Sequence, residues 1–156
     1  MTHYMELLAT NQPWNLIIFV AIPVIFAEYI AVTELFILLG RVENQQLRQA
    51  NKVAGIIIGI YFTGVFFYLL FNAVIPLTTG GGWRGIADVI AVGFYLLGII
   101  PVGGLALMGL GVIGKNRDDQ AQLKLHATLV AMFLVVAHVA MIFGVLNPTL
   151  LMGSAM

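Results

Sequence analysis

Four long apolar runs, at about Asn15–Gly40, Val53–Pro76, Ile86–Ile113 and Leu123–Asn147, are separated by short polar stretches. Each is long enough for the roughly 20 residues that a helix needs to cross a bilayer core. Apolar side chains fill every face of each run. That excludes the two-residue alternation of a membrane β-strand. The pattern predicts an all-α chain: one domain over residues 1–156, folded as an integral membrane four-helix bundle. Met1–Pro13 has no basic start and no apolar run of its own, so it is expected to be a tail before a retained first helix rather than a cleaved signal.

The charges fall between the runs. Arg41, Arg48 and Lys52 lie in the first polar stretch, and Lys115, Arg117 and Lys124 lie in or beside the third. The second holds only Arg84. Short cytoplasmic loops collect Lys and Arg. The bias therefore predicts cytoplasmic first and third loops, with both termini on the outer, periplasmic side of a bacterial-type inner membrane. Trp14 and Trp83 fall at the outer helix ends, where indoles anchor at the interface. Composition agrees: 61% of residues are apolar, 9% are charged and the net charge is zero. A soluble domain carries far more charge, and a nucleic-acid partner needs a basic field. The absence of cysteine excludes disulfides and thiolate metal sites. The partners expected are the lipid bilayer and either further copies of the chain or a larger membrane complex.

Gln46-Leu47-Arg48 and Gln122-Leu123-Lys124 resemble each other and suggest two fused helical hairpins related by an axis along the membrane normal. Gly80-Gly81-Gly82 reads as a flexible outer turn. The third helix carries Gly93, Gly98, Gly103, Gly104, Gly109 and Gly111, which favour close helix packing. Pro101 should kink that helix near Leu97, and Pro23 stands similarly in the first.

Charged groups inside a bilayer cost roughly 2.5–3.5 kcal/mol or more each at the helix centre. This chain nevertheless places Glu28 and Glu34 in the first helix, Asp88 at the start of the third, and His126 and His138 in the fourth. At about 1.5 Å of rise per residue, the order from outside to inside is Asp88, His138, Glu28, Glu34, His126. Glu28 then lies level with His138, and Glu34 with His126. Glu28 and Glu34 are about 120° apart around the helix, as are the two histidines, so neither pair shares one stripe. Tyr61, Tyr68 and Tyr95 could supply hydroxyls to the carboxylates.

Three functions fit these residues. The leading one is proton or divalent-cation handling, by transport or binding, at an intramembrane Glu/His site. Its metal ligands would be Glu28, His138, Glu34 and Asp88, a nitrogen and oxygen set suited to zinc, iron, manganese or nickel. The second is haem b or quinone electron transfer with His138 or His126 as cofactor ligand. A bis-His haem within one chain is not expected, because both internal histidines sit on one helix. The third is a small structural subunit docked through the glycine-rich helix. No Ser/His/Asp set suggests a hydrolase, and enzymatic activity is not expected.

The four-crossing layout and length resemble small bacterial four-helix inner-membrane proteins labelled as permeases. Leu125-His126, with His138 further along, resembles the Leu-His helix starts of some membrane cytochrome and copper-resistance families. The first-helix histidine of those families is missing here, so their haem or copper does not carry over.

Overall fold

The computed structural model describes residues 1–40 and 45–147; Arg41 and the last nine positions, 148–156, lie outside them. Five helices follow in order: α1 (His3–Ala9), α2 (Trp14–Leu38), α3 (Gln45–Thr79), α4 (Ile86–Gly109) and α5 (Asp119–Val145). Helices α2 to α5 are each long and apolar enough to cross a membrane. The fold is therefore all-helical with four candidate membrane spans, as the apolar runs predict.

The helix ends differ from those expected. α3 begins at Gln45 rather than Val53, and α5 at Asp119 rather than Leu123. Hydropathy marks what suits lipid, whereas Gln, Arg and Lys are good helix formers and extend the helices past it. Arg48, Lys52 and Lys124 accordingly sit on helices rather than in loops. Asp118 caps α5, its carboxylate accepting from the Ala121 N–H at 2.6 Å. α4 stops at Gly109 rather than Ile113, and Gly111 takes a positive φ of 73° just beyond.

Neighbours in sequence are neighbours in space, and α5 also packs on α2, closing an antiparallel ring. Ile30, Ile58, Phe62, Val102, Leu105 and Phe133 lie at its centre. One end carries the N-terminus and the 80–85 turn; the other, the basic end, carries Arg48, Lys52, Lys115, Arg117 and Lys124.

The closest seam joins α3 to α4. A Cβ on Gly59 would fall 2.3 Å from the Ala106 Cβ and 3.0 Å from the Val102 carbonyl oxygen. Gly55, one turn earlier, faces Leu105, and a Cβ on Gly109 would meet the Ile56 side chain at 2.6 Å. Gly55 and Gly59 thus form a GxxxG face, which the glycines of the third run had drawn attention away from. Gly59→Ala should destabilise the bundle by about 1–3 kcal/mol, the cost of overpacking a tight contact. Gly103→Ala, at a position open to 4 Å, should be neutral or mildly stabilising. Thermal unfolding in detergent micelles compares the two.

Proline shapes the other spans. A π-helical turn, Ile17–Ala21, precedes Pro23, and another, Leu70–Val74, precedes Pro76. Proline has no N–H to give the carbonyl four residues back, so Pro23 frees the Phe19 carbonyl. The Tyr95 hydroxyl donates to it at 2.8 Å, and the Tyr61 hydroxyl donates to the Ile18 carbonyl at 2.8 Å. These hydroxyls therefore serve backbone rather than the carboxylates expected, while Tyr68 stacks on Phe19 with ring centres 5.8 Å apart. In α4 the helix breaks at Gly98, next to Leu97, where Pro101 was expected to kink it.

The residues before Pro13 are not a free tail. α1 folds across the end of the bundle with Tyr4 and Leu8 buried. Tyr4 fills the notch at Gly144, where an added Cβ would lie 2.6 Å from its ring. Its ring also packs on Tyr95, with centres 5.6 Å apart. Burial pushes the Tyr4 phenol up to about 12. The fully buried Thr2 hydroxyl donates to the Gly144 carbonyl at 2.5 Å and accepts from the Met5 N–H, capping α1.

Candidate functional site

The basic end holds one of the two buried acids of the spans among the described residues. Glu34, on the inward face of α2, is 4% exposed. A carboxylate there needs a partner. α5 supplies His126, whose Nδ1 lies 2.8 Å from Glu34 Oε2. α3 supplies Asn51, 2% exposed, whose Nδ2 donates to the same oxygen at 2.9 Å. Three helices thus converge on one carboxylate. The level pairing of Glu34 with His126 follows the rise per residue. Asn51 was missed, because an amide near the start of a span reads as part of a polar loop.

This cluster opens on a cavity of about 210 Å³ whose lining includes Arg48, Lys52, Asp119 and Gln122. Glu34 Oε1, Asn51 Oδ1 and His126 Nδ1 are buried without a hydrogen-bond partner among the described residues. The His126–Glu34 contact is an ion-pair distance whose angle falls outside hydrogen-bond geometry. Glu34, Asn51 and His126 thus line a space large enough for several waters, while these three atoms lie behind its wall without water-accessible surface.

Glu28 and His138 lie on α2 and α5 and line one cavity of about 340 Å³. Both are exposed on the protein surface rather than enclosed. His138 Nδ1 donates to the Leu134 carbonyl one turn back, at 2.7 Å. Glu28 makes no hydrogen bond or ion pair among the described residues.

Asp88 sits at the opposite end in the first turn of α4, completely buried. Its place there lets the helix dipole stabilise the carboxylate. Asp88 also receives the His3 N–H at 2.6 Å on Oδ1, and the Arg84 N–H at 3.3 Å and the His3 imidazole on Oδ2. Arg84 in turn bonds Glu6 at 2.5 Å and the Met1 carbonyl at 2.7 Å. Asp88 is thus the latch that holds α1 down. His3, assigned to a tail by sequence, is half of that latch.

The four acids and imidazoles proposed as metal ligands are therefore divided over three levels: Asp88 at the N-terminal end, Glu28 with His138 midway, and Glu34 at the basic end. Among the described residues no three His, Cys, Asp or Glu side chains converge. His126 and His138, the candidate haem ligands, face different cavities. The structure brings an acid and an imidazole into contact at the two ends, Asp88 with His3 and Glu34 with His126, and midway sets Glu28 and His138 on one cavity.

The profile of a protein family described as "Family of unknown function (DUF6803)" matches residues 1–156, and the chain belongs to that family. Comparison with curated proteins and with solved structures finds no match.

Proposed function

We propose that this member of a family without assigned function is a multi-pass membrane protein that handles protons, with Glu34 and His126 as its working pair. The observation that carries this is the buried carboxylate–imidazole contact at 2.8 Å, bordering a cavity that polar side chains of the basic end also line. Ionisable groups within a membrane span are costly and mark ion paths by default. Carboxylate and imidazole are the two side chains best suited to pass a proton near neutral pH. The positive-inside bias supports a reading in which the basic end is cytoplasmic, in a bacterial-type inner membrane with the N-terminus outside. Water in the cavity would connect the Glu34–His126 pair to the cytoplasmic surface once a small side-chain movement uncovers the carboxyl. Asp88 with His3 stands as a further acid–imidazole step at the other end.

Purified protein reconstituted in lipid vesicles, with a trapped pH dye and an imposed pH gradient, tests this. Wild-type vesicles should collapse the gradient faster than empty ones, and Glu34→Gln should return the rate to that of empty vesicles. Equal rates for wild type, Glu34→Gln and empty vesicles would overturn the proposal.

The three buried atoms without hydrogen bonds favour a second reading. Glu34 Oε1, Asn51 Oδ1 and His126 Nδ1 are the donor types of a zinc, manganese or iron(II) site. Among the described residues no third His, Cys, Asp or Glu side chain joins Glu34 and His126 to complete a metal site, and so the proton is preferred. Equilibrium dialysis against each metal separates the two: no bound metal in wild type supports the proton, and stoichiometric metal lost in Asn51→Ala supports the cation.

A further inference from the structure

The cavity at the middle of the α2–α5 seam has a chemistry that the proton pathway does not require. Its walls are aromatic, with Phe19, Phe62, Phe94 and Phe133 among them, and Tyr4 of α1 reaches it from the N-terminal end. At about 340 Å³ it falls in the range of small-molecule pockets, about 300–1,000 Å³. That suits one substituted six-membered ring. Aromatic walls favour a flat ring, stacked or edge-on. Glu28 and His138 are the titratable side chains of α2 and α5 on this cavity, and both are exposed. On the membrane placement proposed above, a ligand would reach them from the lipid and must itself be lipophilic.

The hydrogen-bonding character of the two groups narrows the class. A backbone carbonyl only accepts, so His138 Nδ1, bonded to Leu134 O at 2.7 Å, carries the ring proton. In the neutral imidazole Nε2 is then an acceptor. The Glu28 carboxyl offers an acceptor oxygen in either protonation state, and it has no partner among the described residues. Two acceptors on opposite helices of an aromatic cavity call for two donors on a flat ring. The Tyr95 hydroxyl is already spent on the Phe19 carbonyl and does not satisfy them.

We infer that this cavity binds a hydroquinone-class molecule, a lipophilic aromatic diol, with one hydroxyl donating to His138 Nε2 and the other to Glu28. The site is separate from the Glu34–His126 pair; the inference rests on the membrane placement of that reading and not on its proton transfer. The diol satisfies both groups, whereas the oxidised dione, which carries no donors, leaves His138 Nε2 without a partner, so the reduced form binds more tightly. The ring and its alkyl groups are held by the phenylalanines, and the two hydroxyls supply the selectivity.

Three probes share one ring and four methyl groups: duroquinol, duroquinone and durene. A ligand that binds the folded state raises its unfolding temperature. Full-length protein in detergent micelles, kept anaerobic, should show the largest rise with duroquinol, a smaller one with duroquinone and none with durene. His138→Phe and Glu28→Leu, apolar replacements at exposed positions, should each weaken duroquinol binding about tenfold, the loss of one good hydrogen bond. Should a variant fail to fold, saturation-transfer NMR on wild-type protein answers the same question without one, since durene should not compete with duroquinol. Equal shifts from all three probes, no shift from any, displacement by durene, or unchanged duroquinol binding in both variants would each overturn the inference.

Discussion

His126→Ala should destabilise the protein by about 3 kcal/mol or more, because it leaves the Glu34 carboxylate buried beside Asn51 with its imidazole gone. Glu34 is 4% exposed, so water cannot readily replace the lost partner. The diagnostic comparison is with the double variant Glu34→Leu/His126→Leu. Replacing both members of a buried pair by apolar groups is often neutral or stabilising. The double variant should therefore recover most of the loss, yet show no proton flux in vesicles. Unfolding curves in mixed micelles read the first quantity and the vesicle assay the second. If His126→Ala is as stable as wild type, the pair is not coupled in the folded protein. If the double variant conducts, the pair is not the proton site.

The second large effect is expected at the other end. Asp88→Ala removes the acceptor of the His3 N–H, the His3 ring and the Arg84 N–H together. Hydrogen bonds to a charged group contribute about 1.5–3 kcal/mol each. Among the described residues the other charged contact of the short helix α1 is the exposed Glu6–Arg84 pair, so α1 should come away while α2 to α5 stay folded. Hydrogen exchange should then be fast across His3–Ala9 and unchanged at the α3–α4 seam. Asp88→Asn keeps an acceptor oxygen and should show a smaller version of the same change. Slow exchange of α1 in Asp88→Ala would show that Thr2 and Tyr4 suffice to dock it.

Hydropathy made the four spans legible, because lipid-facing and core-facing positions are both apolar and the runs stand out whole. The pairing of Glu34 with His126 was legible too, since it needs only helical rise and opposed chain directions. The docking of α1 was not. A helix of two turns has too few residues to show a period, and its anchors, Thr2, His3 and Tyr4, act through contacts with Gly144, Asp88 and Tyr95 more than eighty positions away. The destination of the tyrosine hydroxyls was hidden for a different reason. Their acceptors are backbone carbonyls at the π-helical turn before Pro23, and composition does not reveal a backbone group without a partner. Glu28 and His138 fall on one cavity as their depth suggests, but the angular separation from Glu34 and His126 kept all four from one interior. The helix that carries Glu34 inward therefore carries Glu28 toward the surface.

The glycine seam has a mechanical meaning. Gly59 against Ala106 and Val102 brings the backbones of α3 and α4 so near that neither can slide without collision, so these two form the fixed frame of the protein. Both Glu34–His126 and the Glu28–His138 cavity bridge the other junction, α2 with α5, which side chains close. A small rocking of α2 against that frame would stretch the buried pair and widen the aromatic cavity in one stroke, tying events at two depths to a single hinge.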